Sequence, residues 1–287
     1  MTNVYFTNNN RSSNFMKTLL PIVTLLLLVL FTSVYAEEKV LLSNNLDIEF
    51  VLVKGGTFKM GNTFAGAGFE DELPVHEVKL SDFYISTYEI TQLEWETIMK
   101  SNPSTFKGKT KPVENISWFD AIGFCNVLSE KEGLTPCYKI MRNNSVTCDW
   151  NANGYRLPTE SEWEYAARGG NESKGFMFSG SNDPDEVGFY KNSSKGMTHP
   201  TGSKKPNELG IYDMSGNVWE WCWDWYMYSY FPVLKANPTG VESGVERCRR
   251  GGSWAQISKS ARSSNRLGSP PELKFNYVGI RLVKNAR

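Results

Sequence analysis

The sequence predicts one large, loop-rich domain in which β-strands alternate with short, capped helices. The chain has 287 residues, of which 24 are Gly and 9 are Trp, a pairing typical of loop-rich folds that aromatic side chains hold together. Strand-like alternation and helical start and stop signals follow one another along the chain. Neither a Pro/Ser-rich linker nor an internal repeat interrupts residues 48–287, so we assign this range to a single domain.

The charges of the chain balance, because 31 acidic side chains oppose 31 basic ones. A zero net charge creates no long-range field toward nucleic acid or an acidic membrane surface. We therefore expect no nucleic acid and no membrane surface among the partners.

Residues 1–36 are predicted to be a signal peptide. A lysine after Met16 precedes an apolar run from Leu19 to Phe31, and small residues end at Ala36. This pattern predicts export with cleavage after Ala36 and leaves residues 37–47 as a short N-terminal segment. Translation from Met16 is an alternative start. Because the apolar run is shorter than a membrane span, we expect no span after cleavage, and a periplasmic, cell-surface or secreted location.

The first strands are predicted from Ile48 to Gly61 and from His76 to Tyr84. In the first range, Gly55-Gly56 separates two alternating segments and predicts a hairpin. His76 has no cysteine beside it, and His199 is the only other histidine of the chain. We therefore interpret His76 as structural, and the sequence favours neither a zinc site nor histidine-based catalysis.

Three helices carry start signals. Thr91 with Glu94, and Thr159 with Glu162, form reciprocal capping pairs, and Ser117 opens the longest helix. The acidic residues that follow Thr159 complement the positive end of the helix dipole. We interpret them as structural rather than as a catalytic acid/base pair.

Export permits disulfides among the five cysteines. Cys137 and Cys148 flank a predicted hairpin and form our first pair, and Cys222 with Cys248 forms the second. Cys125 remains, and we expect it to be a small buried residue on a helix face. Other connectivities stay open, because spacing alone does not fix the pairing.

The most informative stretch is residues 210–226, GIYDMSGNVWEWCWDWY. Large rings and polar groups alternate there in the order Trp219, Glu220, Trp221, Cys222, Trp223 and Asp224. Such period-two alternation predicts a strand with rings on one face and polar groups on the other.

The same stretch offers oxygen ligands for a metal ion. Asp213, Asn217 and Glu220 supply two carboxylates and an amide, and Gly216 allows backbone carbonyls to turn inward. Hard cations such as calcium prefer this set. The alternative is structural, with Asp213 capping a turn and Glu220 accepting from a buried donor.

Four arginines near the C-terminus exceed what a sheet edge needs. They are Arg250, Arg262, Arg266 and Arg281. Either they pair with acidic residues of the helices in a buried network, or they line a cleft for an acidic ligand. We favour the network, because a loop-rich interior needs partners for its carboxylates and carbonyls.

Several sequence blocks follow one another along the chain. They are GGTFKMG at Gly55, ELPVHEV at Glu72, YEIT at Tyr88, PVENISWFDAIGFC at Pro112, GYRLPTESEWEYAARGG at Gly154, GIYDMSGNVWEWCWDWY at Gly210, RRGGSW at Arg249 and GIRLV at Gly279. In this order they resemble the formylglycine-generating enzyme family, also called sulfatase-modifying factor domains, and the resemblance extends from Phe50 to Val283. It implies a single α+β domain with little regular secondary structure, a variant of the C-type lectin fold.

The resemblance also implies a calcium ion before the WEW sequence. Carried over by position, its ligands are the side chains of Asp213 and Glu220 and the carbonyls of Gly216 and Val218. Asp213 stands where the family often has asparagine and keeps an oxygen donor. A second family calcium site has no clear match in residues 188–201, so we do not predict it.

The catalytic chemistry of the family does not carry over. Its enzymes bind copper(I) with two cysteine thiolates, and the corresponding positions here are Gln256 and Ala261. Because no cysteine follows Cys248, copper is not an expected cofactor. Cys222 with Cys248 is the one alternative thiol pair.

The sequence therefore predicts an exported, calcium-stabilised, lectin-like module that binds a protein, peptide or glycan at the cell envelope. We expect a monomer. Its ligand groove is predicted between the stretch from Trp254 to Arg266 and the irregular 178–209 segment. One alternative is an oxygen-dependent formylglycine-generating oxidoreductase acting on a sulfatase-type cysteine, and another is a structural subunit. The predicted groove residues are Trp254, Gln256, Arg262, Asn265 and Arg266.

Overall fold

The computed structural model describes residues 1, 40–41, 47–230 and 235–286. Contacts group the described residues from 40 onward into one compact unit. Apart from residue 1, the predicted signal peptide and its cleavage site lie outside the described residues. Within the described ranges, no helix combines the length and the apolar character needed to cross a membrane.

The described part of the domain contains four α-helices and many short strands. The helices are α1 (Gln92–Met99), α2 (Trp118–Lys131), α3 (Glu160–Ala167) and α4 (Pro184–Val187). The strands are β1 (Val40–Leu41), β2 (Glu49–Val53), β3 (Gly56–Met60), β4 (His76–Leu80), β5 (Phe83–Ser86), β6 (Tyr138–Ile140), β7 (Val146–Cys148), β8 (Tyr155–Arg156), β9 (Trp219–Trp225), β10 (Lys235–Ala236), β11 (Arg247–Arg250), β12 (Arg266–Ser269), β13 (Val278–Gly279) and β14 (Val283–Asn285).

The strands form four small sheets. Their orders are β1-β2-β5-β14-β8, β10-β4-β3, β12-β11-β9-β13 and β6-β7. Most pairs are antiparallel, but β13 runs parallel to β9 and β10 runs parallel to β4. Short helices and mixed sheets joined by long irregular segments confirm the predicted α+β class.

The three helix starts are confirmed. Thr91, Ser117 and Thr159 each accept a hydrogen bond from the backbone N–H of the residue three positions later. The acidic side chain of that later residue in turn accepts a hydrogen bond from the backbone N–H of the capping residue. These reciprocal bonds satisfy amides that a helix start otherwise leaves without partners. Capping is a local interaction, so the sequence predicted it correctly.

The strand pairing at the start of the domain was predicted wrongly. β2 and β3 do not form a hairpin, because β2 pairs with β5 while β3 pairs with β4. The predicted strand from His76 to Tyr84 is also divided at Ser81 and Asp82 into β4 and β5. Asp82 accepts from the backbone N–H of Gly55 at 2.8 Å. A side chain at Gly55 would meet the carbonyl of Leu80 at 2.4 Å, so these two turns interlock.

Strand β9 has the predicted two faces. Trp219 and Trp221 are buried in the core beside Trp118 of α2. On the opposite face, Cys222 packs in a second core with Trp163 of α3. The aromatic strand therefore separates the two largest apolar clusters of the described domain.

A network of buried ion pairs holds α3 and the C-terminal strands together. Each of five buried arginines pairs with its own glutamate, which confirms the network over the acidic-ligand cleft. The pairs are Arg156–Glu162, Arg250–Glu164, Arg262–Glu72, Arg266–Glu160 and Arg281–Glu220. Removing one partner from such a pair leaves an uncompensated buried charge, which costs about 3–5 kcal/mol.

The structure does not form the two predicted disulfides, because Cys148, Cys222 and Cys248 are thiols in it. In the β6–β7 hairpin, which is confirmed, Cys148 lies opposite Tyr138 rather than opposite Cys137. At the second pair, the Cys222 thiol lies 3.9 Å from the carbonyl of Glu220 and Cys248 hydrogen-bonds to Glu160. Cys125 is buried in the core, as predicted.

Candidate functional site: a carboxylate cluster and an aromatic surface

The turn before β9 has an unusual backbone that turns polar groups inward. Asp213, Gly216 and Asn217 have φ angles of 60°, 99° and 57°, in the left-handed region that favours glycine. A side chain on Gly216 would meet the carbonyl of Phe189 at 2.3 Å. The turn therefore depends on this glycine, and all three residues are buried or nearly so.

Three buried carboxylates meet at this turn. Glu220 accepts from Arg281 Nε at 2.6 Å and Nη2 at 2.7 Å, and also from the indole of Trp163 at 2.5 Å. Asp213 Oδ2 accepts from the Gly202 N–H at 2.7 Å. The third carboxylate, Glu89, was not among the residues predicted from the sequence.

Glu89 holds the turn by accepting hydrogen bonds from a backbone N–H and from a side-chain amide of the turn. It accepts from the Val218 N–H at 3.1 Å and from Asn217 Nδ2 at 2.7 Å. Glu89 lies in the YEIT block, about 130 residues before β9, so that no local spacing signalled the contact. Only its position within a block shared with the family pointed to it.

The cluster holds more negative charge than Arg281 neutralises. Arg281 is the guanidinium that pairs with it, whereas Glu89, Asp213 and Glu220 are all buried. Burial raises the pKa of Asp213 to about 6, and it raises the pKa of Glu89, with further contributions from the charges of Asp213 and Glu220. When all three carboxyls are ionised, the cluster has a formal excess of two negative charges.

The donor set at Asp213 fits a hard cation. Asp213 Oδ1 is buried without a hydrogen-bond partner, which costs free energy unless a cation or a proton satisfies it. The described residues contain no group of three or more His, Cys, Asp and Glu side chains arranged around a metal position. A site of the predicted kind would draw half of its ligands from the carbonyls of Gly216 and Val218. Calcium would supply charge neutralisation there, not redox chemistry.

The two positions of the family's copper ligands cannot bind copper(I). Gln256 Oε1 accepts from the indole of Trp219 at 3.1 Å and from the hydroxyl of Ser253. Ala261 is buried in a small apolar cluster with Phe178 and Val187. Neither side chain offers the soft sulfur ligand that this ion prefers.

The alternative thiol pair is also unsuited to metal binding. Cys222 and Cys248 are fully buried, and burial raises the pKa of both thiols far above the usual range. Because the thiolate is the metal-binding form, burial acts against a displaced copper centre.

The predicted ligand groove is wrong at three of its five residues. Arg262 and Arg266 are buried against Glu72 and Glu160, and Asn265 is buried and donates to the Ser260 carbonyl. These buried side chains hold the C-terminal segment to the domain. Trp254 and Gln256 remain partly exposed.

Trp254 belongs to a partly exposed group of side chains that we call the Trp254 surface, formed by Phe106, Lys111, Met197 and Trp254. The rings of Phe106 and Trp254 meet edge to face with centroids 5.1 Å apart. Lys111 lies over Phe106 and also contacts the sulfur of Met197, whose side chain is 41% exposed. The Trp254 carbonyl accepts from Ser194, which ties the surface to the 178–209 segment.

Comparison with known proteins identifies the class of this domain. A family model described as a sulfatase-modifying factor enzyme 1-like domain matches residues 41–286. The chain therefore belongs to this family, as the sequence blocks predicted.

Individual relatives differ in what they are named. The chain is 39% identical to "Chaperone protein LppX" of Paenibacillus barcinonensis, over 83% of this chain and 89% of that protein. It is 29% identical to a "Formylglycine-generating enzyme" of Thermomonospora curvata, over 80% of this chain and 91% of that protein. Among solved structures, "Treponema denticola variable protein 1" matches with a TM-score of 0.75 and 32% identity, over 83% of this chain and 96% of that one.

Proposed function

We propose that this chain is an exported, calcium-stabilised, lectin-like module that binds a protein, peptide or glycan and does not oxidise cysteine. The observation that carries the proposal is the side-chain set at the two copper positions. Gln256 is held by Trp219 and Ser253, and Ala261 is buried among apolar side chains. The rest of the family scaffold is present, so that the fold is retained while the ligands of its chemistry are replaced.

The binding surface of the proposal is the Trp254 surface. Aromatic rings are enriched among the residues that anchor protein interfaces, and the flexible methionine beside them can adapt to the shape of a partner. Of the three ligand classes, a protein or peptide has the most support, because the relative LppX is named a chaperone. Lys111 at the rim favours a partner with an acidic group next to its apolar one.

Calcium is the second part of the proposal. Its ligands would be the side chains of Asp213 and Glu220 with the carbonyls of Gly216 and Val218. The oxygen of Asp213 without a partner and the charge excess of the cluster support this assignment. Glu89 would act from behind the turn, because it fixes Asn217 and Val218 through their N–H groups.

The structure changes how calcium binding should be tested. Glu220→Ala would leave Arg281 and the indole N–H of Trp163 without their acceptor, and would destabilise the fold whether or not calcium binds. Asp213→Ala is the sharper variant, because Asp213 makes a single described side-chain hydrogen bond, to the Gly202 N–H.

A formylglycine-generating oxidoreductase is the alternative function. Its support is the name of the Thermomonospora curvata relative. It would require copper ligands other than Gln256 and Ala261, and the buried thiols of Cys222 and Cys248 are protonated at neutral pH.

The binding proposal is tested by capture experiments with the full chain. The protein and its Trp254→Ala variant are immobilised, and envelope extract from the source cells is passed over both. We expect the wild-type protein to capture a partner that Trp254→Ala does not capture. Tyr228→Ala is the control, because Tyr228 is a 66% exposed aromatic residue that is not part of the Trp254 surface, and it should capture the partner like wild type. Equal capture by all three proteins would contradict the Trp254 surface, and no capture by any would favour a structural subunit.

A further inference from the structure

A large cavity lies beside the N-terminal end of α3, and it shares no residue with the Trp254 surface. Its volume is about 630 Å³, within the range of pockets that bind small molecules. Buried Arg156, Thr159 and Glu162 contribute to its lining, and Trp150 forms part of its wall. The rim includes exposed polar groups, among them Asn151.

The opposite rim is held in place by hydrogen bonds between two turns. The Ser81 N–H donates to Asn237 Oδ1 at 2.8 Å, and Asn237 Nδ2 donates to the Ser81 hydroxyl at 3.0 Å. The Asn237 N–H also donates to the carbonyl of Lys79 at 2.8 Å. The cavity therefore has a preformed rim, which reduces the entropy lost when a ligand binds.

The charges in the cavity do not select an anion. All five N–H groups of Arg156 already donate: to both oxygens of Glu162, to the Leu157 carbonyl, and twice to Asn285 Oδ1. The other carboxylate of the lining, Asp82, pairs with Lys54 at 3.0 Å. Each charge in the lining thus has an opposite charge beside it.

The hydrogen-bonding capacity that remains is neutral and mixed. The hydrogen bond described for Asn151 uses its backbone N–H, which leaves its side-chain amide to face the cavity rim. Thr239 adds a hydroxyl, and Glu162 Oε1 accepts a single described bond. Amide donors, hydroxyl and carboxylate acceptors around one indole match a ligand that is rich in hydroxyl groups and has apolar ring faces.

We propose that this cavity is a binding site for a neutral saccharide. The indole of Trp150 would contact a sugar ring, and Asn151 and Thr239 would exchange hydrogen bonds with its hydroxyls. Glu162, held rigid by Arg156, would accept from a hydroxyl that enters deepest. The site shares no residue with the Trp254 surface, and it would give the module a saccharide ligand in addition to the protein or peptide favoured for that surface.

The test is calorimetric titration of the full chain with four neutral disaccharides: maltose, cellobiose, lactose and N,N′-diacetylchitobiose. Each is titrated to about 10 mM, which covers millimolar dissociation constants. We expect saturable binding of at least one. We also expect Asn151→Ala and Trp150→Ala to weaken that binding by about tenfold or more.

Controls separate this site from a folding defect and from the proposed function. Trp150 packs against Trp223 and Arg156, so its replacement can reduce stability, whereas Asn151 is exposed and its variant keeps the fold. Tyr228→Ala and Trp254→Ala should bind the disaccharide like wild type. The proposal is overturned if none of the four sugars binds, if inorganic phosphate binds in their place, or if Asn151→Ala leaves the affinity unchanged.

Discussion

The two places at which the resemblance implies metal ions differ in what their side chains offer. Where the resemblance expects copper, the side chains of Gln256 and Ala261 are held by neighbouring groups or buried in apolar contacts. Where it expects calcium, Asp213 keeps a buried oxygen that has no partner, and three carboxylates share one arginine. This difference supports the proposal that the chain lacks the soft ligands of copper chemistry and keeps oxygen ligands suited to a hard cation.

The largest expected effect follows from removing Arg281, which pairs with the carboxylate cluster. Arg281→Met should lower the free energy of unfolding by about 3–5 kcal/mol, because Glu220 would keep its buried charge without its partner. Denaturant unfolding measures this change. Arg142→Met is the matched control at an exposed arginine, and it should change stability by no more than about 0.5 kcal/mol.

The size of that loss also bears on the calcium site. In excess calcium the effect of Arg281→Met should shrink, because a divalent ion would answer part of the same negative charge. A loss equal to that of Arg142→Met would show that Arg281 does not neutralise the cluster, and the comparison between the two metal positions would lose its basis.

A pH effect of about 3 kcal/mol is expected next, in the absence of calcium. The pKa of Asp213 is raised from 3.8 to about 6, so the folded state holds this proton more tightly than the unfolded state does. This contribution to stability is fully present below pH 3.8 and is lost as the pH rises through about 6. Unfolding measured in chelator from pH 4 to pH 7 should show the loss, together with a loss of the same sign from Asp224, whose pKa is raised to about 7.

Calcium should remove the part of this loss that belongs to Asp213. The ion stabilises the ionised carboxylate, so the pH dependence in calcium should be shallower than in chelator. Asp213→Asn, which keeps an oxygen but does not titrate, should show a shallower profile in chelator as well. If the wild-type profile is the same with and without calcium, the ion does not bind at Asp213.

The smallest effect is the gain in stability on adding calcium at neutral pH. At a hundredfold excess over its dissociation constant, the ion should raise the free energy of unfolding by about 2.7 kcal/mol. Asp213→Ala should abolish this gain, and magnesium should substitute poorly because it demands near-octahedral geometry. An equal response to calcium in Asp213→Ala would place the ion elsewhere.

The sequence predicted the features that depend on neighbouring residues and missed those that depend on distant ones. The predicted capping pairs at Thr91 and Thr159 and the predicted helix start at Ser117 depend on residues within one turn, and all three are confirmed. The pairing of β2 with β5 instead of β3 is decided by sheet contacts far along the chain. Local periodicity carries no information about such partners.

The same limit explains the site. The arginines of the C-terminal segment were correctly predicted to form a network, but not which glutamates they would pair with. Arg262 and Arg266 were consequently assigned to a groove as well, although Glu72 and Glu160 bury them. Glu89 was missed because its contacts to Asn217 and Val218 span about 130 residues.

One measurement tests the central claim most directly. The full chain is incubated with copper(I), oxygen and a cysteine-containing sulfatase-type peptide, and the peptide mass is followed alongside a copper(I) titration. The doubly substituted variant, Gln256→Cys with Ala261→Cys, restores two thiols at the family positions and serves as the comparison. We predict an unchanged peptide and no stoichiometric copper binding for the wild-type chain, and copper binding for the variant. Conversion of the peptide to the aldehyde by the wild-type chain would contradict the account and show that it is an oxidoreductase.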